Sequence, residues 1–189
     1  MTNRYNNSLL TPSLFLKIGG WRQPIIMVDR IIDFIPGEKG SITIIKHVTY
    51  NDNYLLGHYP EDPVMPGIMI AEIFGQASEY FSFIDDFCSI YKKGKNVVLN
   101  CFSEVAQAIK QPESELILIE HRSRVEGVLV SQNLKFKNSV YPGDTIEVKS
   151  SLLLSDINNF KHYLVEARVG KKIIANGTIV NYREDIKFE

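Results

Sequence analysis

Residues 57–80 read GHYPEDPVMPGIMIAEIFGQASEY, a short proline-rich loop followed by an apolar segment. Three prolines within seven residues stiffen the loop and exclude a regular helix or strand there. After Pro66 and Gly67, apolar residues recur at positions 70, 73, 74, 77 and 81, the spacing of one helix face. Pro66 suits the entry to a first helical turn. Further apolar residues lie on the other faces, so the sequence predicts a helix that the rest of the protein largely encloses.

Two ionisable side chains in this stretch suit proton transfer. His58 lies in the rigid loop, and an imidazole takes up and returns a proton near neutral pH. Glu72 lies between Ala71 and Ile73 in the apolar helix, where a buried carboxyl resists ionisation and can donate a proton. Gln76 follows one helical turn later, so its amide can orient the carboxyl of Glu72.

Gly67 adds a place for negative charge at the start of the helix. The first N–H groups of a helix have no partner within it, and the helix dipole makes this end partly positive. Because Gly67 has no side chain, a ligand oxygen can approach its N–H closely. A base, an acid and a donor for an enolate-like oxygen are what β-elimination of water from a 3-hydroxyacyl thioester requires. The pattern therefore favours a dehydratase that needs neither a metal nor a redox cofactor.

Each of these residues also has an ordinary structural interpretation. His58 can bond backbone groups of its own loop, and Glu72 can lie at the solvent-facing margin of the helix. A histidine followed fourteen residues later by a glutamate is a weak pattern by itself, and only its combination with the prolines and Gly67 favours catalysis. The other histidines fall in or beside predicted strands without the spacing of a metal site: His47, His121 and His162.

Predicted strands flank the helix on both sides. PIIMVDRIIDFI (24–35) and SITIIKHVTY (41–50) surround a Pro36-Gly37 turn signal, which predicts a hairpin. Strand patterns resume from Leu116 in LILIEHRSRV (116–125), VLVSQNLKF (128–136), TIEVKSSLLL (145–154), HYLVEARV (162–169) and KIIANGTIVNY (172–182). Short connections favour antiparallel pairing, so the predicted fold class is α+β, an antiparallel sheet wrapped around one long central helix.

The composition fits one globular domain. The chain has 189 residues, 44% hydrophobic and 23% charged, with a formal net charge of −1 that gives no preference for nucleic acid. No window approaches the ~18 apolar residues of a membrane helix, and no signal peptide is visible. With only two cysteines, we expect a cytoplasmic protein without a disulfide. We interpret residues 1–20 as an N-terminal arm with one short helix and residues 21–189 as a single domain.

Three segments resemble the bacterial 3-hydroxyacyl-(acyl carrier protein) dehydratases, the Z-type enzymes of fatty-acid synthesis. The active-site pattern of that family is roughly G-H-F-P-x-x-P-x-x-P-G-V-L-x-x-E-A-x-A-Q, and this chain reads GHYPEDPVMPGIMIAEIFGQ from residue 57. WRQPIIMVDRI (21–31) resembles the family's H-R-Y-P-F-L-L-V-D-R-V, and LKFKNSVYPGDTIEV (134–148) resembles its A-R-F-R-R-P-V-x-P-G-D-x-L. The three segments follow in family order and span most of the chain.

The resemblance implies a hot-dog fold and a homodimer, which in this family often assembles into a hexamer as a trimer of dimers. It implies that His58 of one subunit takes the C2 proton of the substrate while Glu72 of the other helps to expel the hydroxyl. The backbone N–H groups at Gly67 and Ile68 would bind the thioester oxygen. Glutamate at position 72, where related dehydratase-isomerases carry aspartate, favours dehydration without isomerisation.

The resemblance also assigns supporting residues and a partner. Gln76 and Val64 would support the catalytic pair, and Tyr59, Met65 and Ile73 would line an apolar substrate tunnel beside the helix. The substrate would arrive on the phosphopantetheine arm of acyl carrier protein, with no cofactor, no metal, no nucleic acid and no membrane involved.

Two other functions remain open from the sequence. A hot-dog thioesterase would use a carboxylate to activate water, and a non-catalytic hot-dog module would bind acyl chains or support a partner subunit.

The segment at about 83–120 is longer than is usual in the family by about twenty residues. It leaves the acyl-chain length and the pathway open, fatty acid or specialised polyketide or polyene. The run KKGK (92–95) is interpreted as a solvated loop, with the weaker hypothesis that it meets the acidic carrier protein.

Overall fold

The computed structural model describes residues 8–186 of the chain. Its helices are α1 (Pro12–Ile18), α2 (Gly67–Lys95), α3 (Phe102–Ile109) and α4 (Pro112–Arg124), with one 3₁₀ turn at Asn53–Leu56. Its strands are β1 (Arg30–Ile35), β2 (Ser41–His47), β3 (Val125–Phe136), β4 (Thr145–Ser155), β5 (Phe160–Val169) and β6 (Lys172–Asp185). In this part of the chain, no helix combines the length and the hydropathy that crossing a bilayer requires.

All six strands form one antiparallel sheet in the order β1-β2-β4-β5-β6-β3. β1 and β2 form the predicted hairpin, and β4, β5 and β6 follow as a meander. β3 pairs with β6, so it lies at one edge of the sheet and β1 lies at the other. This arrangement confirms the predicted α+β class.

Helix α2 is the centre of the fold. Its 29 residues span about 40 Å at 1.5 Å per residue, and they include large side chains that are fully buried, such as Phe74, Phe81 and Phe87. Two hydroxyl pairs also join the helix to the sheet, Ser78 with Ser150 on β4 and Ser82 with Tyr163 on β5. The predicted central helix enclosed by the sheet is confirmed.

The N-terminal segment packs into the same core. The side chain of Thr11 accepts a hydrogen bond from the Leu14 N–H, and Pro12 occupies the first turn of α1, as favoured at a helix start. Leu14 and Phe15 are buried, and the ring of Phe15 meets Tyr80 of α2 edge-on at 5.2 Å. The segment that the sequence suggested as an arm thus lies against the domain as far as it is described, while residues 1–7 of that arm lie outside the described part.

The segment after α2 differs most from its sequence-based prediction. LILIEHRSRV (116–125) is not a strand, because residues up to Arg124 form helix α4. Pro112 begins this helix, acidic residues fill its first turn and basic residues its last, which suits the helix dipole. The polar stretch KQPESE (110–115) therefore contains the start of a helix.

Two smaller predictions are also corrected. KKGK (92–95) is the last turn of α2 rather than a loop, and the cation of Lys95 pairs with Glu113 of α4. The first strand begins at Arg30 rather than at Pro24.

An ion cluster fixes α4 against the domain. Asp86 of α2 accepts a hydrogen bond from Nε2 of His121 on α4 at 3.0 Å and another from Arg183 on β6. Lys161 of β5 lies 3.8 Å from the same carboxylate. Burial alone would raise the pKa of Asp86, but His121 and the two cations outweigh burial and hold the pKa at about 2.

Candidate active site

The loop before α2 fixes the His58 imidazole. Nδ1 lies 2.8 Å from the carbonyl oxygen of Val64, and the Val64 N–H donates to the carbonyl of His58 at 2.8 Å. A carbonyl oxygen only accepts, so Nδ1 carries the proton and Nε2 of the neutral ring is free to accept one. The ring also stacks on Tyr59, with centroids 4.2 Å apart.

His58 opens into a cleft of about 450 Å³ at the start of α2. The walls come from the loop, from the first turn of α2 and from the segment after β3, and they comprise His58, Tyr59, Val64, Met65, Gly67, Ile70 and residues 136–139. The cleft therefore places an imidazole beside the partly positive end of the central helix.

Gly67 is the first residue of α2, and the ring of Phe136 covers it. A Cβ built on Gly67 would lie 3.3 Å from that ring, tighter than most van der Waals contacts. The N–H of Gly67 has no partner within the helix, because the first turn has no preceding carbonyl to bond. This backbone donor is therefore placed to bind an oxygen in the cleft.

Gln76 holds the carboxyl of Glu72. Its Nε2 donates to Oε1 of Glu72 at 2.8 Å and to the carbonyl of Ile25 at 2.7 Å, while its Oε1 accepts from the N–H of Met27 at 2.9 Å. Gln76 is fully buried, so these bonds fix its amide. Residues 25–27 lie outside β1, where two of their backbone groups bond Gln76 and the N–H groups of Ile25 and Ile26 bond the Arg22 carbonyl.

The remaining predicted site residues occupy different environments. Ile68 is 65% exposed and Tyr59 is 59% exposed, whereas Met65 is buried and Ile73 is wholly enclosed in the core. Glu72 is half-buried rather than enclosed as the sequence predicted.

The structure therefore brings the predicted residues together in two groups within one chain. One group surrounds His58 and Gly67, and the other is Glu72 with Gln76. Among the described residues, Glu72 does not line the cleft that holds His58.

Phe136 and Lys137 also line the cleft, although neither was predicted as a site residue. Their segment, LKFKNSVYPGD, was itself the signal, because it was one of the three segments that resembled the dehydratases.

Comparison with known proteins identifies the family. The model of the FabA-like domain matches residues 21–111. The 3-hydroxyacyl-[acyl-carrier-protein] dehydratase FabZ of Wolbachia pipientis subsp. Culex pipiens is 31% identical over 170 residues, covering 90% of this chain and 94% of its own. The chain belongs to the FabZ dehydratase family. The FabZ protein of Pseudoalteromonas translucida is 30% identical over 164 residues, covering 87% of each chain.

Solved structures agree on the fold. The dehydratase heterocomplex ApeI:P from Xenorhabdus doucetiae superposes with a TM-score of 0.56 at 13% identity, covering 87% of this chain and 86% of that one. At this identity the likeness supports the hot-dog fold alone. Membership of the FabZ family rests on the sequence relatives. This membership favours dehydration over the thioesterase and the non-catalytic module.

Proposed function

We propose that this protein dehydrates (3R)-3-hydroxyacyl thioesters on acyl carrier protein to the trans-2-enoyl thioesters. The observation that carries the proposal is the His58 imidazole, tied through Nδ1 to the Val64 carbonyl beside the N-terminus of α2. That bond leaves Nε2 as a base, and the Gly67 N–H offers a donor in the same cleft.

In this mechanism, Nε2 of His58 removes a proton from C2 of the substrate. The thioester oxygen gains negative charge and is stabilised by the N–H groups at Gly67 and Ile68 and by the helix dipole. Glu72 donates a proton to the C3 hydroxyl as the C3–O bond breaks, so that one water leaves and the C2–C3 double bond forms. Transfer of the proton from His58 back to Glu72 restores both groups.

The His58 cleft of one subunit and Glu72 of the other meet across a homodimer. Within residues 8–186, β3 pairs with β6 on one side only, so the backbone groups of its other side stay open along twelve residues. Its apolar side chains Val128, Leu129, Val130 and Phe136 are about half exposed. A second copy that pairs at this edge extends the sheet, covers these side chains and brings its own Glu72 to the His58 cleft. Assembly of dimers into a hexamer stays a prediction.

The carrier protein delivers its substrate at the His58 cleft rather than at the lysines of KKGK (92–95). Lys92, Lys93 and Lys95 lie at the far end of α2, about 40 Å from Gly67. Lys137 lines the cleft itself and offers a positive charge to the phosphate of the phosphopantetheine arm. The proposed chemistry uses side chains and backbone N–H groups, with no cofactor.

A subunit-mixing experiment tests the shared site. His58→Ala and Glu72→Gln homodimers should each lose at least ~10²-fold in turnover, the scale of a positioned acid or base. Refolding the two variants together at equal amounts forms mixed dimers that contain one intact site. We expect turnover of about a quarter of wild type, because half of the dimers are mixed and half of their sites are intact.

Mass spectrometry of the acyl carrier protein identifies the product of the reaction from the mass of the bound acyl chain. Loss of water from the 3-hydroxyacyl chain supports the proposal, whereas release of free acid would indicate a thioesterase and an unchanged substrate a binding module. If the mixed sample stays as inactive as the two homodimers, the catalytic pair does not span two subunits.

A further inference from the structure

One stripe of α2 stays open along its first turns and closes farther on. Residues 68, 72, 75 and 79 fall on one side of the helix at 100° per residue. Ile68 is 65% exposed, whereas Glu72, Gly75 and Glu79 are partly buried, with 17% of the Glu79 side chain exposed. The stripe is therefore most open at the helix N-terminus and partly covered from Glu72 to Glu79.

Strand β3 forms the facing wall. Phe136 lies over Gly67 at one end, and at the other a Cβ on Gly127 would lie 2.5 Å from Oε2 of Glu79. Between them, Gln132 is opposite Ile179, whose side chain is buried, so Gln132 is on the helix-facing side of the sheet. Gln132 is nevertheless exposed, so the strip between β3 and α2 is open at this point in the single chain, and we refer to this strip as the groove.

Gly75 keeps this groove free beside Glu72. Glycine weakens a helix interior, and no packing contact in the described part of the chain requires it here, because no atom there lies within 4 Å of the position its Cβ would take. Its neighbour Phe74 is fully buried on another face of α2. A side chain at position 75 would therefore project into the groove one turn from the carboxyl of Glu72.

A buried ion pair closes the far end. Nε of Arg183 lies 3.3 Å from Oε1 of Glu79, and Arg183 is 6% exposed and also bonds Asp86. Oε2 of Glu79 is itself buried and has no hydrogen-bond partner among the residues that the structure describes. An apolar chain that reached this point would meet charged groups and the backbone of Gly127, which it cannot displace without cost.

We propose that this groove holds the acyl chain and that Gly75 and the Glu79–Arg183 pair set the chain length that the enzyme accepts. This rests on the proposed dehydratase function, with Glu72 at the C3 carbon. The seven residues from Glu72 to Glu79 span about 10 Å. An extended chain advances about 1.2 Å per bond, so about eight carbons fit beyond C3, and substrates of up to about ten to twelve carbons are preferred.

The test measures kcat/KM for 3-hydroxyacyl-ACP substrates from C4 to C16 with wild type and Gly75→Val. We expect wild type to fall off beyond about C12. Valine should lower the ratio of C10 to C4 activity by at least ~10-fold, the effect of a few misplaced methylenes in an apolar site. Gly94→Val is the matched control, since Gly94 is also in α2 with nothing within 4 Å of its Cβ position but lies in the last turns. Its chain-length profile should equal that of wild type.

A second variant tests the closed end. Glu79→Ala should shift the preference toward longer chains, and thermal unfolding of each variant shows that it is folded. The inference is overturned if folded Gly75→Val and folded Glu79→Ala both keep the wild-type profile, or if wild type prefers C16. Absence of dehydration by wild type at every length would instead overturn the proposed function, and this inference with it.

Discussion

Gln76 shows how one side chain connects the fold to the candidate chemistry. Its amide bonds the backbone at two positions about fifty residues earlier, Ile25 and Met27, and the carboxyl of Glu72. Since Gln76 is completely buried, water cannot replace any of these partners. The orientation of Glu72 therefore depends on how the segment before β1 is packed.

Replacing Gln76 by leucine should affect both stability and catalysis. Gln76→Leu removes the side-chain partner of the buried Met27 N–H and of the partly buried Ile25 carbonyl, which should lower the free energy of unfolding by about 2–6 kcal/mol at ~1–3 per group. It also frees the Glu72 carboxyl, so kcat should fall more than KM changes. Urea unfolding and steady-state kinetics measure the two effects. Gln107→Leu, at an exposed position of α3, should change neither, and wild-type stability in Gln76→Leu would contradict the network.

At the scale of elements, the sequence predicts what depends on local spacing. The stiff loop around His58 follows from its prolines, and the contact of Gln76 with Glu72 follows from the four-residue spacing of a helix. The sequence does not predict Phe136 over Gly67 or the backbone partners of Gln76, because these contacts join distant segments.

Helix α4 was mistaken for a strand for a related reason. Its run LILI has no clear period, and short apolar runs suit either element. Packing decides the outcome, because Leu118 is buried and His121 is held by Asp86 of α2. Residues 112–124 are thus helical because of their packing against α2, which a single sequence does not show.

Because of the ion cluster under α4, the free energy of unfolding should depend on pH in the acid range. The pKa of Asp86 in the folded protein is about 2, below the ~3.9 of an unfolded aspartate, so its contribution is present above pH ~4 and is lost as pH falls toward 2. We expect Asp86→Asn to lower the free energy of unfolding by about 1–2 kcal/mol at pH 7, discounted for partial exposure. The difference from wild type should shrink as pH falls from 4 to 2.

Chemical unfolding across this pH range measures the effect. The groups that face Asp86 are His121, Lys161, Arg183 and its neighbour Asp85. Glu113→Gln is a suitable control, because this residue also pairs between α2 and α4 but is exposed. A pH-independent difference between Asp86→Asn and wild type would show that the carboxylate charge does not stabilise the fold.

At the scale of the whole molecule, the outer edge of β3 has no pairing strand in the described part of a single chain. A long edge strand with exposed apolar side chains invites pairing with another chain, and natural proteins cover or charge such edges. Here the same edge adjoins the groove beside Glu72, so a dimer would both cover β3 and complete the site.

A charge on this edge should separate the subunits. Val130→Lys places a cation on β3, and its copy across a two-fold axis would repel it. We expect a shift toward monomer in sedimentation experiments together with loss of dehydratase activity. Leu164→Lys, about equally exposed but on an interior strand, should keep the wild-type mass. A dimer of unchanged stability in Val130→Lys would place the interface elsewhere.

The pairing of β3 has a consequence for synthesis on the ribosome. In the described sheet β3 pairs with β6, which follows β4 and β5 in the chain, so β3 leaves the ribosome before the strand that pairs with it. A nascent chain that has not yet made β6 therefore lacks a formed edge at β3. Assembly through this edge should begin only after β6 has joined the sheet.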